Sequence, residues 1–341
     1  MSYAAYLDLE ADVLRNLTLG VAGRWEHYAS FGSTSLGKFQ ARFKATDWLA
    51  LRGTASTGFH APSPGQANVE TLSTTFAPGS TNNVQIGTFA VTSPIAKFYG
   101  AVPLRPEEST NLSAGIVLTP MQDLLVTLDW YEITVRNRIS ISKTFTVTAA
   151  DIVALPALAL VGVDGTVQYF TNTFGTRTKG VDLVASYPFQ LGAGRLETAL
   201  ALSYNLSHVT NYDPAVIAPS RLVDIAHYAP NRRANLNVSY SLGKIRAAVH
   251  ENFYGAYRDE FDYPGQLFSE KWTTDLDLSY QVMNNATASI GGRNIFNAFP
   301  DVVNGVNPLT GGLPDGERYP RQGGPFGYNG AFWYARVSAK F

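Results

Sequence analysis

The sequence predicts an all-β chain whose strands form part of an antiparallel transmembrane β-barrel. First, apolar and polar residues alternate with a period of two in thirteen separate segments, which is typical of strands with one apolar face. Second, most of these segments run for ten residues or more, the length that a tilted strand needs to cross a bilayer. Third, short and long connectors alternate along the chain, as the periplasmic turns and outer loops of such barrels do.

The strands can be placed in order from their alternation. We predict them near residues 2–14, 16–29, 34–46, 48–59, 107–118, 123–138, 167–187, 195–208, 229–241, 244–258, 270–282, 285–297 and 331–341. Short connectors lie at 15–16, 47–48, 120–123, 189–194, 242–244 and 284–285. Long connectors, rich in Gly and Pro, lie at 60–106, 139–166, 209–228, 259–269 and 298–330. The short connector near 30–33 is the one exception to the alternation.

The segment 272–282 shows the two faces of such a strand. Trp272, Leu278 and Tyr280 share one face, whereas Asp275 and Asp277 share the other. A soluble β-sandwich also alternates, but its strands average about five or six residues. We therefore expect lipid against the apolar face and a wide, water-filled lumen against the polar face. We also expect the complete sheet to close, because an open edge is costly in hydrocarbon.

The composition excludes several classes of protein. The net charge is -1 and only 16% of residues are charged, so there is no electrostatic argument for a nucleic-acid partner. The chain has no cysteine, which excludes a disulfide framework, a thiolate zinc site and a cysteine nucleophile. No apolar stretch reaches the roughly 18 residues of a membrane-spanning helix. Residues 1–20 lack the pattern of a signal peptide.

Aromatic residues near strand ends favour the same interpretation, because aromatic girdles mark the two membrane interfaces of outer-membrane barrels. Examples are Trp25, Trp130, Tyr187, Tyr204, Tyr240, Tyr257, Trp272 and Trp333. The chain ends WYARVSAKF, in which Trp333, Val337 and Phe341 share the apolar face. If the short turns are periplasmic, this strand runs inward and leaves Phe341 on the periplasmic side. We interpret these three residues as an outer-membrane assembly signal read by the barrel-assembly machinery.

Six stretches, in order, resemble the C-terminal part of TonB-dependent outer-membrane receptors. LRGTASTGFHAPSPGQ at 51–66 resembles the family's "GFRAPS" strand end, with His60 where Arg is commoner, and RPEESTNLSAGIVLTP at 105–120 resembles its "PE.S.N.E.G" strand entry. LDWYEITVRNRI at 128–139, TKGVDLVASY at 178–187 and GRNIFNAFPD at 292–301 resemble "D.Y.I...N.I", "T.GVDL...Y" and "NLFD..P". YNGAFWYARVSAKF at 328–341 completes the series. Each motif is weak alone, but six motifs in the family's order, spread over nearly the whole chain, form a strong resemblance.

The resemblance implies a 22-stranded barrel, a strand number typical of plugged outer-membrane transporters. It also implies uptake of a scarce ligand with energy passed through TonB. Thirteen strands correspond to about the last three fifths of that barrel. We therefore expect residues 1–341 to be a partial barrel domain in the Gram-negative outer membrane, with the plug, the TonB box and the signal peptide outside this sequence.

The sequence predicts no catalytic, cofactor or metal site. The five histidines are scattered without the spacing of a zinc site or a Ser/His/Asp setting. Asp275 and Asp277 share a face, and we interpret them as lumen wall rather than as a cation site. Arg232 and Arg233 could meet an anionic ligand or lipopolysaccharide, but one basic pair is ordinary at a strand start. TAADIVALPALALV at 148–161, with Thr148 as a cap, is either a short helix or a plain apolar loop.

Ligand contacts are expected in the long outer loops, where aromatic rings accompany Asn and Gly. The candidates are Phe76, Phe98, Tyr99, Phe174, Tyr263, Tyr319 and Tyr328. The family resemblance favours a ferric siderophore or a similar iron complex, with cobalamin or an oligosaccharide as alternatives. Other functions remain open: a passive porin, a barrel enzyme such as an outer-membrane lipase, for which no activated Ser beside a His is found, or a soluble binding sandwich.

Overall fold

The computed structural model describes residues 2–29, 32–76, 83–305, 318–320 and 324–340. The first elements are β1 (Ser2–Leu14), β2 (Leu17–Tyr28), β3 (Gly32–Lys44), β4 (Leu49–His60), α1 (Pro64–Asn68), β5 (Thr71–Phe76), β6 (Asn83–Thr88), α2 (Pro94–Phe98), β7 (Glu107–Leu118), β8 (Leu125–Ile141), β9 (Phe145–Thr146) and α3 (Ala149–Ala154). A 3₁₀ turn (Pro156–Leu160) follows, and then come β10 (Thr166–Gln168), β11 (Phe170–Leu191), β12 (Gly194–Tyr212), α4 (Pro219–His227), β13 (Arg232–Leu242), β14 (Ile245–Tyr254), β15 (Tyr257–Arg258), β16 (Leu267–Phe268), β17 (Lys271–Met283), β18 (Ala286–Arg293) and β19 (Phe332–Ala339).

One thirteen-stranded sheet dominates the fold, and it confirms the predicted strands. Its order is β1-β2-β3-β4-β7-β8-β11-β12-β13-β14-β17-β18-β19, so each strand pairs with the next long strand in sequence. All of these neighbours are antiparallel. The bounds agree with the prediction to within a few residues. The C-terminal ends of β11, β12, β14 and β18 each differ from the prediction by four residues. Strand β18 ends at Arg293 because Asn294 and Asn297 adopt positive φ values of 48° and 57°.

The sheet is open in this chain. Strands β1 and β19 lie at its opposite edges among the described strands. This agrees with the expectation of an incomplete barrel wall, because a closed barrel would pair its first strand with its last. No helix in the described part of the chain is long and apolar enough to cross a membrane.

The apolar face of the sheet is exposed, which excludes the sandwich alternative. Trp272 is 57% exposed, Leu278 47% and Tyr280 48%. On the opposite face of the same strand, the side chain of Asp277 is only 15% exposed. A sandwich would bury the apolar residues under a second sheet. Large exposed apolar surfaces mark contact with a membrane or a partner, and a lipid-facing barrel wall presents such a surface on every strand.

The connectors at one end of the sheet are tight. Strands β11 and β12 are joined through Gly192, and β13 and β14 through Gly243. Both glycines have φ near +60° (61° and 57°), a conformation that two-residue hairpin turns require and that glycine adopts without steric cost. All the long connectors emerge at the other end, as predicted, together with the short connector between β2 and β3.

Two long connectors, which the sequence presented as Gly- and Pro-rich loops, fold together into a second small sheet. The order is β5-β6-β10-β9, and β6 pairs with β10 in parallel, with Thr166 opposite Ile86. We call this unit the loop sheet. Beside it lies an apolar core that includes Val147, Leu158 and Val167, each fully buried. The connectors at 60–106 and 139–166 therefore contain strands and short helices of their own, which their Gly- and Pro-rich composition did not indicate.

The segment 148–161 is helical only in its first half. The Thr148 side chain accepts a hydrogen bond from the Asp151 amide, and the Asp151 carboxylate accepts one from the Thr148 amide, which forms a capping box. The α-helix ends before Pro156, which lacks an amide hydrogen and cannot continue the helix. A 3₁₀ turn follows from Pro156 to Leu160. The predicted Thr cap is confirmed, and of the two alternatives a short helix is found, over Ala149–Ala154 only.

Candidate functional site

The polar face of the sheet carries a row of seven residues across seven strands, and five of the seven are charged. Each member lies directly opposite the next: Arg42, Arg52, Gly115, Asp129, Asp182, Ser203 and Arg233. Like charges directly opposite each other destabilise a sheet, and the row contains two such pairs, Arg42 with Arg52 and Asp129 with Asp182. Water reduces that repulsion. The row therefore suits a wall that faces a water-filled interior.

Within this row Arg52 reaches over an intervening strand to Asp129. The Arg52 guanidinium donates two hydrogen bonds, from Nε to Oδ1 at 2.7 Å and from Nη2 to Oδ2 at 2.5 Å. Gly115 lies between them on β7, and a Cβ there would overlap the Asp129 carboxylate. Gly115 therefore allows the Arg52 and Asp129 side chains to meet. Their hydrogen bonds connect β4 to β8 across β7.

The same arrangement occurs elsewhere on the polar face. Gln40 donates a 2.7 Å hydrogen bond to Glu10 across Gly20. A Cβ on Gly20 would approach the Gln40 side chain to 2.7 Å. Side-chain bonds that cross a glycine connect strands that share no backbone hydrogen bond. They stiffen the wall without adding bulk on the lumen side.

The predicted Asp275 and Asp277 both lie on the polar face, and neighbouring donors satisfy them. Asp275 accepts a 2.8 Å hydrogen bond from the Asn294 amide, and Asp277 accepts a 2.5 Å bond from the Ser279 hydroxyl. No group of three His, Cys, Asp or Glu among the described residues is placed to hold a metal ion. The interpretation of these carboxylates as lumen wall therefore agrees with their hydrogen bonding.

The predicted basic pair, Arg232 and Arg233, is divided between the two faces. Arg232 lies opposite Tyr204, and Arg233 lies opposite Ser203. Because successive residues of a strand point to opposite sides, only Arg233 faces the lumen. Arg232 faces outward, where its Nη2 lies 3.5 Å from a Glu270 carboxylate oxygen. The two arginines cannot bind one anion together.

Two of the predicted ligand-contact residues, Phe174 and Tyr263, are buried, and Tyr99 is partly buried. The Tyr99 hydroxyl donates to Asp151 at 3.3 Å, and its ring stacks on Phe145 at the edge of the loop-sheet core. Burial, followed by the nearby Asp151 carboxylate, raises the pKa of the Tyr99 hydroxyl to about 12. Phe174 and Tyr263 are each 5% exposed. In this arrangement the Phe174 and Tyr263 rings pack inside the protein, and the Tyr99 ring packs against the loop-sheet core.

Two other predicted residues meet on the surface of the last long connector. The Tyr319 ring stacks on Phe299, with centroids 5.4 Å apart, and on Tyr328, with centroids 6.4 Å apart. Arg318 lies 5.6 Å from the Tyr319 ring centroid. We call these four residues the outer aromatic stack. Phe299 and Arg318 were not predicted, because a stack that joins positions 299, 319 and 328 leaves no local pattern in the sequence.

Beside this connector, a cluster of tyrosines and aspartates joins α4 to the β15–β16 hairpin. The Asp224 carboxylate accepts a 2.6 Å hydrogen bond from the Glu260 amide. Asp259 and Tyr257 are 3% and 4% exposed, and Asp259 Oδ2 and the Tyr257 hydroxyl have no hydrogen-bond partner in the described part of the chain. Burial raises the pKa of both carboxyl groups, Asp224 and Asp259. Ionisation of these two carboxyl groups is therefore less favourable than ionisation of an exposed aspartate.

The remaining predicted residues lie at or near the ends of elements, and Phe98, which ends α2, is 42% exposed. Phe76 ends β5 opposite Asn83, and its side chain lies outside the described residues. Trp333 is 64% exposed and Val337 is 78% exposed on the apolar face of β19. Phe341 lies outside the described residues. The assembly signal therefore stays a prediction.

The comparisons with known proteins agree with this geometry. A family model described as "TonB dependent receptor-like, beta-barrel" matches residues 1–295. No curated protein matches the chain in sequence.

Among solved structures, the fold is similar to that of three receptors. The ferric enterobactin receptor PfeA of Pseudomonas aeruginosa is 16% identical with a TM-score of 0.71, and the match covers 100% of this chain and 45% of that one. The siderophore receptor PirA of Pseudomonas aeruginosa is 13% identical with a TM-score of 0.64, covering 100% and 48%. PirA of Acinetobacter baumannii is 14% identical with a TM-score of 0.62, covering 100% and 46%. The chain spans about half the length of these receptors, and the likeness shows the fold alone.

Proposed function

The chain belongs to the TonB-dependent receptor-like β-barrel family, and from this membership we propose that it forms part of the wall of an outer-membrane receptor. That receptor takes up a scarce ligand with energy supplied through TonB. The family implies a location in the outer membrane of a Gram-negative bacterium. Residues 1–341 then belong to one barrel domain.

The observation that carries this proposal is the division of the sheet into two faces. Large apolar side chains such as Trp272 and Tyr280 are exposed along one face, which suits contact with lipid. Charged side chains line the other face, and bonds such as Arg52 to Asp129 hold them in place. A wall with lipid on one side and water on the other is what a transporter of polar ligands requires.

For the ligand we propose a ferric siderophore or a similar iron complex. The similar receptors are named for enterobactin and for siderophores, which supports this class without identifying one compound. The outer aromatic stack offers a half-exposed ring, Tyr328, which stacks on Tyr319, and the exposed Arg318 lies against the same Tyr319 ring. Aromatic rings beside a guanidinium suit a ligand that is both flat and anionic.

We further propose two protein partners. TonB would engage the receptor from the periplasm. The barrel-assembly machinery would recognise the terminal strand through Trp333, Val337 and Phe341. Deletion of Phe341 is expected to lower the amount of heat-modifiable barrel in outer membranes, and unchanged barrel levels would contradict this role.

Uptake measurements test the proposed function. Cells that express the protein under iron limitation are supplied with a panel of ⁵⁵Fe-labelled siderophores, with and without a functional TonB. We expect at least one complex to accumulate only when both the receptor and TonB are present. TonB-dependent uptake of cobalamin or of an oligosaccharide instead would still support a receptor function, but it would contradict the proposed iron-complex ligand. Ion conductance by the purified protein, together with TonB-independent uptake, would favour a passive porin.

A further inference from the structure

A group of basic residues lies on the lipid-facing side of the sheet, just beyond its aromatic rings. We call Arg136, Arg177 and Lys179, with Glu132 between them, the outer basic cluster. Glu132 lies opposite Leu112 on β7 and opposite Lys179 on β11, and Lys179 lies opposite Leu206 on β12. Residues directly opposite each other share a face. The cluster is therefore on the apolar face and not in the lumen.

The cluster lies at the level of the outer headgroups. Lys179 is 12 residues before Leu191, where β11 ends at the tight turn. That separation is about 40 Å along a strand, or about 30 Å in height at a tilt near 40°, whereas the apolar band of such barrels is about 25 Å tall. Two residues closer to the turn, Trp130 and Val181 lie opposite each other, and Tyr204 lies opposite Val181. The Trp130 and Tyr204 rings mark the boundary of the apolar band, and the outer basic cluster lies just outside that boundary.

The cluster has more positive than negative charge available to a ligand. Arg177 Nη2 lies 2.5 Å from Glu132 Oε1, and Lys179 Nζ lies 3.3 Å from Glu132 Oε2. One carboxylate thus serves two cations, whose side chains are 48% and 50% exposed, whereas that of Glu132 is 14% exposed. Arg136 is also exposed and lies opposite Glu108. Three cations and two carboxylates leave a net charge of +1.

Glu132 also fixes the two cations in position. A long basic side chain normally loses rotamer freedom when it binds a ligand. Here the shared carboxylate has already ordered both side chains, and their exposed sides remain free to face the membrane. Arg and Lys at a membrane surface attract anionic headgroups, and the paired N–H groups of a guanidinium match phosphate oxygens.

We propose that the outer basic cluster binds the phosphate groups of outer-leaflet lipids. This inference rests on the proposed function only for the orientation of the wall in the outer membrane. The cluster is separated from the transported ligand, because it lies on the opposite face of the sheet from the lumen. A lipid phosphate reaches it from the side, at the height where phosphates lie.

Lipid titration tests the proposal. The protein is purified from outer membranes in detergent, diphosphoryl lipid A is titrated, and the bound fraction is followed by native mass spectrometry. The variant Arg177→Gln/Lys179→Gln is expected to bind about thirtyfold more weakly, because two basic groups are lost. The charge-matched control Lys38→Gln/Arg42→Gln removes an Arg and a Lys from the polar face and is expected to bind like the wild type.

A second variant separates lipid binding from a purely structural ion-pair network. Glu132→Gln removes the carboxylate that neutralises part of the positive charge, and this gain is expected to exceed the cost of the lost ordering, so the variant should bind the phosphorylated lipid about fivefold more tightly. Unchanged or weaker binding by Glu132→Gln would overturn the proposal. If Arg177→Gln/Lys179→Gln fails to fold because Glu132 is left alone, Glu132→Gln/Arg177→Gln/Lys179→Gln replaces it, with the same expected loss.

Two further arms identify the lipid as the source of the phosphate. Lipid A without its phosphates is expected to bind equally weakly to the wild type and to Arg177→Gln/Lys179→Gln. Inorganic phosphate at millimolar concentration is expected to displace little lipid, and complete displacement would contradict a lipid site. Failure of TonB-dependent uptake with retained lipid binding would count against the proposed function alone, whereas the reverse would count against this inference alone.

Discussion

Tyr334 and Asp277 are joined across an intervening strand. The Tyr334 hydroxyl on β19 donates a 2.7 Å hydrogen bond to Asp277 Oδ2 on β17, over Gly291 on β18. A Cβ on Gly291 would lie 2.6 Å from both the Leu276 carbonyl oxygen and the Tyr334 ring. The last strand is thus held by a bond that only a glycine permits, in addition to its backbone ladder.

Replacing this glycine is expected to loosen the last strand. Gly291→Ala should lower the free energy of unfolding by about 1–3 kcal/mol, because the added methyl group meets backbone and a packed ring. The measurement is the urea midpoint of the detergent-solubilised protein by tryptophan fluorescence. Gly37→Ala is the control, since a Cβ on Gly37 has no atom within 4 Å. Equal midpoints for both variants would contradict the close packing at Gly291.

The Arg52–Asp129 pair is expected to make only a small contribution to stability. The side chains are 46% and 26% exposed, and an ion pair of this kind contributes about 0–1 kcal/mol. Arg52→Gln should lose about that much and also leave Asp129 opposite Asp182 without its cation. Asp129→Asn added to Arg52→Gln should restore most of the loss, because it also removes the repulsion. A double-mutant cycle of urea midpoints at low and high salt measures the coupling, and a salt-independent loss would argue against electrostatics.

Opposite faces of the terminal strand are expected to tolerate a charge differently. Val337 lies on the lipid side and is 78% exposed, whereas its neighbour Ser338 lies on the polar side. Val337→Lys should reduce the fraction of heat-modifiable barrel in outer membranes, because a basic residue at the lipid face costs about 2–4 kcal/mol near the midplane and less toward the interfaces. Ser338→Lys carries the same charge and should insert normally. Equal insertion of both variants would be inconsistent with lipid on the Val337 side.

The outer aromatic stack is expected to contribute to ligand capture. Tyr328→Ala removes a ring that is 50% exposed, and Tyr319→Ala removes the ring between Phe299 and Tyr328. Each should raise the Kd for the transported iron complex by about tenfold, since buried aromatic contacts at interfaces contribute 1 kcal/mol or more. Tyr212→Ala, at the exposed end of β12, is the control. Binding that falls equally in all three variants would point to loop disorder rather than contact.

The cluster around Asp259 is expected to loosen as pH rises. Burial raises the pKa of the Asp224 and Asp259 carboxyl groups in the folded protein. From about pH 4, the pKa of an unfolded Asp, upward to these raised values, the folded state holds more protons, so stability falls with increasing pH. Amide hydrogen exchange of residues 257–268, corrected for the intrinsic effect of pH, should report more frequent opening at pH 7.5 than at pH 4.5. Asp259→Asn should reduce this difference, and a difference of opposite sign would contradict the burial of the carboxyl groups.

The sequence by itself determined the thirteen strands and the two faces of the sheet. Period-two alternation is a local property, so residues 272–282 alone specify which side of β17 is apolar. The cap at Thr148 was predictable for the same reason, because the capping box involves residues only three positions apart. The aromatic residues of the loops were predictable as a class, but their individual positions were not.

Only the tertiary structure decided which side chains meet. Arg52 and Asp129 are 77 residues apart in sequence, and their contact depends on the register of β7 between them. The loop sheet joins two connectors that are separated by β7 and β8, and Tyr99 is partly buried against its core. The physical reason is that strand pairing and loop packing are set by non-local contacts, whereas alternation and capping act over a few residues. The sequence therefore specified the strands of the barrel wall and their two faces, whereas the tertiary structure decided the side-chain contacts and the packing of the loops.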